Sequence, residues 1–238
     1  MKIGQHKTVA IILARGGSVG IPHKNVVNFC GEPLIYWTIN QLKMVDLIDS
    51  IWVSSDSQLV LGACEGMGCK LIERPSQLAK DDSTSESGWI HAMKIIEETE
   101  GKIGLVVAPQ VTSPIRDSND IRDSIIKFHR HEYDSMFSVT LAKDLCLWSR
   151  SGGSLHCDSY DPRNPVRRRQ VSFGERYIEN GSFYIFKPEV VINTGTRFGN
   201  KIGMSVPMKA FKSIEIDEPD DLEFAKVVMK AFLDGKLR

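Results

Sequence analysis

The stretch Val9 to Gly31, VAIILARGGSVGIPHKNVVNFCG, decides how this chain is read. Val9 to Leu13 is an apolar run short enough to be a buried strand. Ala14-Arg15-Gly16-Gly17-Ser18-Val19-Gly20 follows, a glycine-rich turn with a cation at its start, and then Pro22, Lys24 and Asn25. Glycines let backbone N–H groups converge without Cβ clashes, and two cations neutralise charge, so the loop suits phosphates. It is neither of two common phosphate loops. A Walker A loop places Lys directly after its last glycine and Ser or Thr next, whereas Ile21, Pro22 and His23 separate Gly20 from Lys24. A dinucleotide fingerprint needs G-x-G-x-x-G opening a helix, whereas the glycines here read G-G-x-x-G before Ile21-Pro22.

The whole chain sets bounds on that reading. Its 238 residues suit one domain with a substantial core. Thirty Lys and Arg balance thirty Asp and Glu, which disfavours nucleic acid as the main partner, so any anion site must arise from local clustering. The five cysteines are odd in number and lack a C-x-x-C, which argues for free thiols in a reducing compartment and against zinc. No apolar stretch reaches the roughly 18 residues of a membrane span. The N-terminus reads poorly as a signal peptide because Arg15 and the glycine loop follow at once. A cytoplasmic protein without a membrane partner is expected.

Along the chain, strands are expected at Ile51–Val53, Lys70–Glu73, Ile103–Ala108, Met136–Leu141 and Ser182–Phe186. Helices are expected from Pro33, over Gln58–Gly66, after Ser83, and over Ser118–His131. Ser83 and Glu86 have the spacing of a capping box before the face Trp89, Met93, Ile96. Ser213-Ile214-Glu215-Ile216-Asp217 reads as a last strand, before a closing helix that begins at Pro219. Strands alternating with helices at this spacing imply an open α/β sheet. Ligands sit beyond the carboxyl ends of such strands. The polar segments Arg15–Asn25, Ser54–Asp56, Arg74–Ser85 and Gln110–Arg116 would gather there. His129 and His131, among charges near a helix end, read as a solvated face. The tryptophans read as core or interface.

Several motifs together resemble the acylneuraminate cytidylyltransferases, the CMP-sialic acid synthetases: A-R-G-G-S-x-G-I-P-x-K-N at 14–25, R-P-S-Q-L-A-K-D-D-S-T-S at 74–85, Q-x-T-S-P at 110–114, R-R-Q at 168–170 and Y-x-x-N-G at 177–181. The likeness covers most of the chain and is weak from about Lys143 to Val166. It implies a mainly parallel, doubly wound sheet of the nucleotide-diphospho-sugar transferase type. One domain, 1–238, would carry a projecting arm at 144–176 that packs on a second subunit, making a homodimer. It implies joining of CTP to a nonulosonic acid with release of pyrophosphate. Arg15, Gly16, Ser18, Lys24 and Asn25 would hold the triphosphate. Arg74 and Ser85 would hold the cytidine. Gln110, Arg168, Arg169, Gln170, Tyr177 and Asn180 would hold the sugar acid, an arginine fork matching its carboxylate. Asp217 and Glu215, alternate residues on the expected strand, would share Mg²⁺ with the substrate. Arg15, Lys24 and Asp217 would thus carry the chemistry.

The sequence departs from the family pattern at Val111, Val171 and Glu215, where Pro, Asp and Asp are usual. Read from residues alone, Arg74 closes a strand or meets a ligand, and Ser85 caps a helix or meets a ligand. The three arginines form a solvated patch or a carboxylate site. Two rival functions are a Rossmann-type oxidoreductase, disfavoured by the missing G-x-G-x-x-G, and a nucleotide sensor without catalysis.

Overall fold

The computed structural model describes residues 6–142, 148–151, 154–157 and 175–237. The chain opens with β1 (Lys7–Leu13), whose apolar run is buried on both faces. The glycine loop and a single 3₁₀ turn at Lys24–Val26 follow, with no immediate helix. A small hairpin, β2 (Asn28–Phe29) and β3 (Glu32–Pro33), leads into α1 (Leu34–Lys43). Then come β4 (Ser50–Ser55), α2 (Gln58–Cys64), β5 (Lys70–Glu73), α3 (Ser85–Glu100), β6 (Ile103–Pro109), α4 (Ser118–Arg130) and β7 (Ser135–Leu141). A ribbon apart from the main sheet pairs β8 (Trp148–Ser151) with antiparallel β9 (Ser154–Cys157). The chain closes with β10 (Tyr177–Phe186), α5 (Pro188–Thr194), β11 (Ile202–Met204) and α6 (Pro219–Leu233).

Seven strands form one sheet in the order β11-β7-β10-β6-β1-β4-β5. All pairings are parallel except those of β10, which opposes both β6 and β7. Alternate side chains feed two cores. Ala10, Ile12, Leu105 and Val107 meet α1, α2, α4 and α6 on one face. Val9, Ile11, Val106 and Ala108 meet α3 and α5 on the other. Helices on both faces explain why the central strands read as unbroken apolar runs. The sheet is therefore doubly wound and mainly parallel, as expected. From β1 the chain winds outward through β4 and β5, then returns to the other side of β1 as β6. The carboxyl ends of β1 and β6 thus flank a topological switch point, where open α/β sheets form their crevice.

Three local expectations are corrected. Residues 213–217 do not form a strand. Ser213 ends a 3₁₀ helix at Ala210–Ser213, and the segment beyond it makes one strand-like main-chain bond, Ile216 N–H to the Thr112 carbonyl at 2.8 Å. The Ile/acid alternation reflects burial, with Ile216 fully enclosed, but a single main-chain bond to the loop after β6 makes no ladder. No capping box forms at Ser83. Thr84 caps α3 by accepting from the Ser87 N–H, and Glu86 turns to Arg197 instead. β10 begins at Tyr177 rather than Ser182, because Asn180-Gly181 is a register break inside the strand, with Gly181 at φ +64.

Trp52 and Trp89 are core residues and His129 is half-buried. Its Nε2 is enclosed without a partner, and burial, with Lys187 nearby, pushes its pKa down. Of the expected arm, most of 144–176 lies outside the described residues, and with it Arg168, Arg169 and Gln170. No described helix is long and apolar enough to cross a membrane.

Candidate active site

A cavity of about 630 Å³ opens at the switch point, within the range of small-molecule sites. Arg15, Ser18, Lys24, Asn25, Arg74, Ser85, Gln110 and Asp217 all line it. They come from four separate segments, three that follow the parallel strands β1, β5 and β6 and a fourth that docks beside them through the Ile216 N–H bond to Thr112. Gly16, Glu215, Tyr177 and Asn180 do not reach its lining.

The glycine loop forms one wall. It is shaped by contacts of its own: the Gly16 N–H donates to Asp56 at 2.9 Å, and the Asn25 side-chain amide donates to the Arg15 carbonyl at 2.8 Å. Asn25 is buried, so its first task is to hold the loop. Arg15 reaches across to the loop after β5 and pairs with Asp81 at 2.8 Å.

The acidic segment abuts this wall directly. Lys24 Nζ donates to Asp217 Oδ1 and to the Ile216 carbonyl, both at 2.9 Å. A Cβ on Gly20 would lie 2.3 Å from the Asp217 carbonyl oxygen, so the close approach requires glycine. Glu215 stands behind Asp217. Its Oε1 accepts from Thr112 Oγ1 at 3.3 Å. The Gln110 amide, oriented so that both its ends are satisfied, donates to that oxygen at 3.0 Å and to the Gly181 carbonyl at 3.2 Å. Burial and the neighbouring Asp217 charge push the Glu215 carboxyl above its ordinary range.

The inner end holds Arg74. It is 5 % exposed, its Nε has no partner, and no described residue bonds its guanidinium. Burial pulls its pKa down, Asp56 resists, and Arg15 adds to the fall. A buried cation without an acceptor is costly and fits a polar or anionic ligand.

Asn180 faces inward. Its amide bonds Ser138, Thr140 and the Ser182 N–H, which fixes the bulge that presents Gly181 to Gln110. Tyr177 donates its hydroxyl to Glu175 at 2.6 Å, away from the cavity lining.

Sequence reasoning missed several residues. Asp81 and Trp89 line the cavity. Arg116 is 1 % exposed, and its Nη2 donates to the Gln110 and Ser113 carbonyls, bracing the loop that carries Gln110 and Thr112. Burial lowers its pKa to about 9. The only signal for Arg116 was a cation two residues after the Q-x-T-S-P motif, and nothing in the sequence marks it as buried.

Among the described residues, no three His, Cys, Asp or Glu side chains converge as a metal site. Glu215 and Asp217 are oxygen donors of the kind Mg²⁺ takes, Asp217 on the cavity lining and Glu215 behind it. Burial first, and the Asp217 charge second, raise the Glu215 carboxyl, and a nearby cation would offset both.

The family model described as cytidylyltransferase matches residues 9–146, more than half of the chain. N-acylneuraminate cytidylyltransferase A of Danio rerio is 28% identical over 219 residues, which are 91% of this chain and 49% of that protein. The Oncorhynchus mykiss N-acylneuraminate cytidylyltransferase is 31% identical over 74% of this chain and 40% of its own length. That of Streptococcus agalactiae serotype V is 28% identical over 98% of this chain and 55% of its own. The chain thus spans about half the length of the curated relatives it matches. Among solved structures, a CMP:2-keto-3-deoxy-manno-octonic acid synthetase complexed with CTP aligns over 95% of this chain and 99% of its own, with TM-score 0.64 at 16% identity. A 4-diphosphocytidyl-2C-methyl-D-erythritol synthase aligns over 94% of this chain and 100% of its own, with TM-score 0.68 at 9% identity. These two similarities show the fold, that of the nucleotide-diphospho-sugar transferases.

Proposed function

Because the chain belongs to the cytidylyltransferase family, we propose that its cavity binds CTP and a sialic-type nonulosonic acid and joins them, releasing pyrophosphate. The observation that carries this reading is the Lys24–Asp217 contact at 2.9 Å, which brings the cationic glycine loop and the acidic segment together on one cavity. Nucleotidyl transfer needs charge neutralisation and alignment more than a covalent intermediate. The sugar hydroxyl attacks the α-phosphorus in line, and the bond to pyrophosphate breaks.

Arg15 and Lys24 receive the triphosphate. Arg15 leaves Asp81 to do so, and Lys24 exchanges part of its contact with Asp217 for phosphate oxygens. The buried Arg74 guanidinium, with Ser85 at the start of α3, meets the cytidine. Gln110 faces the sugar acid, its loop held by Arg116. Asp217 and Glu215 would hold Mg²⁺, which supplies Lewis-acid stabilisation of the phosphate oxygens. The sugar carboxylate would meet the arginines at 167–169, and a second copy of the chain would pack on the arm at 144–176.

The test is pyrophosphate release from each nucleoside triphosphate with a panel of nonulosonic acids. Release is expected only with CTP, Mg²⁺ and one or more of the acids, and chelation with EDTA should abolish it. Binding of CTP without release for any acid would identify a sensor instead.

A further inference from the structure

Trp89 is the one large aromatic side chain among the residues lining the cavity, and it is held by more than packing. It lies one turn beyond Ser85 on α3 and is 4 % exposed. Its neighbour Gly88 lets α3 approach both Arg74 and Leu13, since a Cβ there would lie 3.0 Å from Arg74 Nη1 and 3.0 Å from Leu13 Cδ1. Ser85 and Trp89, four residues apart and so on one face of α3, both line the cavity, which sets Trp89 beside Ser85. Behind it, the ring packs on Phe186 at 5.1 Å and Tyr184 at 6.4 Å between centroids. Arg197, from the segment between α5 and β11, sets its guanidinium carbon 4.9 Å from the Trp89 centroid and 4.4 Å from that of Tyr184. The same guanidinium donates from Nε to Glu86 at 2.9 Å, in a pair whose side chains are only 20 % and 12 % exposed. Tyr184 in turn donates its hydroxyl to Glu179 at 2.5 Å.

A largely buried ion pair stacked on two rings is an expensive way to fill space, because apolar side chains of similar volume carry no desolvation cost. What it supplies is position. A guanidinium stacks flat on an aromatic face and is fixed by its carboxylate. The Trp89 ring is thus held by the Arg197 guanidinium and the Phe186 and Tyr184 rings.

We infer that Trp89 sets the size of the nucleobase end of the cavity, so that a pyrimidine enters and a purine is refused, and that Arg197 with Glu86 is the positioning pair that keeps this wall rigid. The inference rests on the proposed nucleotide reading and adds to it the residues that select the base by size. A fixed ring excludes the second ring of a purine by overlap, whereas a mobile one yields to it.

The experiment measures dissociation constants of CTP and ATP, with Mg²⁺, by calorimetry on the full chain. The variants are Trp89→Leu, Trp89→Phe, Arg197→Met and Glu86→Gln, each checked for folding by circular dichroism and thermal melting. In Trp89→Leu the preference for CTP over ATP should fall by roughly 10-fold or more, chiefly through tighter ATP binding; hydrophobic pockets discriminate on this scale. Arg197→Met touches no nucleotide, yet its preference should fall by roughly 3- to 10-fold. Glu86→Gln should give a smaller change of the same sign, and Trp89→Phe should stay near the wild type. Should a Leu substitution destabilise the fold, Arg197→Met still decides the matter. Folded variants whose CTP-to-ATP ratio equals the wild type's, or in which both nucleotides weaken in step, overturn the inference alone. Wild-type protein that binds no CTP overturns the nucleotide reading and this inference with it.

Discussion

The two ends of the sheet treat charge in opposite ways. At the amino ends of the parallel strands, the carboxylates are enclosed by partners. Glu100 accepts from Lys7 at 3.1 Å, from Ser50 at 2.9 Å and from Lys70, joining the starts of β1, β4 and β5. Asp134, just before β7, accepts from Lys187 Nζ at 2.9 Å and from the Lys201 N–H at 3.0 Å. At the carboxyl ends, Arg74 is buried with no acceptor, and Asp217 holds Lys24 with 64 % of its own side chain exposed. At one end these carboxylates are already matched by cations and donors. The other is arranged for something that arrives. Substitutions at the two ends should therefore separate stability from function.

The largest effect is expected at Lys24. Lys24→Ala removes the cation that faces both phosphate and Asp217, and a single charged donor aimed at a developing transition state is worth about 10²–10³ in turnover. Pyrophosphate release should fall by at least that factor, with the melting temperature little changed. Near-normal release would remove the glycine loop from the chemistry. Next is Arg74→Met. CTP affinity should drop by about 10- to 100-fold, while stability holds or rises, since an unpaired buried charge is replaced by an apolar chain of similar length. A marked loss of stability without loss of affinity would make Arg74 part of the framework, and the contrast between the ends would weaken.

These contrasts were only partly legible in the sequence. The β1–glycine loop unit was, because apolar runs, glycines and cations are local signals and the parallel sheet leaves the loop little choice of position. The acidic segment was legible in chemistry but not in form. Glu215 and Asp217 were visible as paired carboxylates, yet strand status depends on a partner ladder, and the segment finds only the Thr112 carbonyl. Asn180-Gly181 was visible as a motif, but its local bonds make it a bulge in β10 that serves Gln110 from behind. The burial of Arg116 and the contact of Arg197 with Trp89 were not legible. A buried arginine and a solvated one look alike in sequence, and Arg197 meets Glu86 across 111 residues. The two faces of the sheet, by contrast, followed directly from helical periodicity, since Ile121, Ile125 and Phe128 or Trp89, Met93 and Ile96 can pack only one way.

A smaller effect is expected where the two walls of the cavity touch. Gly20→Ala forces its new methyl against the Asp217 carbonyl, so the loop must move away from the acidic segment. Small misplacements of reacting groups are amplified in the rate. Activity should fall by about 10-fold, with the Mg²⁺ concentration needed for half-maximal activity increased. An unchanged magnesium requirement would mean that loop and acids act independently.

The smallest effect on activity, none, is expected at the opposite end. Glu100→Gln leaves Lys7 and Lys70 without their carboxylate while keeping the shape. Both lysines are partly exposed, so the loss should be modest, about 1–2 kcal/mol on the scale of charge-assisted hydrogen bonds tempered by solvent. Pyrophosphate release should match the wild type. The acid limb gives a second handle. Burial alone would raise the Glu100 carboxyl, but the bonds from Lys70, Ser50 and Lys7 outweigh it and hold the pKa below the ordinary value. A carboxyl whose folded pKa is depressed stabilises the protein fully above its unfolded pKa, about 4.3, and loses that contribution as the pH falls through the folded value. The stability gap between wild type and Glu100→Gln should thus be widest near neutrality and close on acidification. A gap that persists at low pH would trace the effect of Glu100 to packing rather than to charge. Loss of pyrophosphate release at neutral pH would mean that the amino end of the sheet does not work apart from the cavity after all.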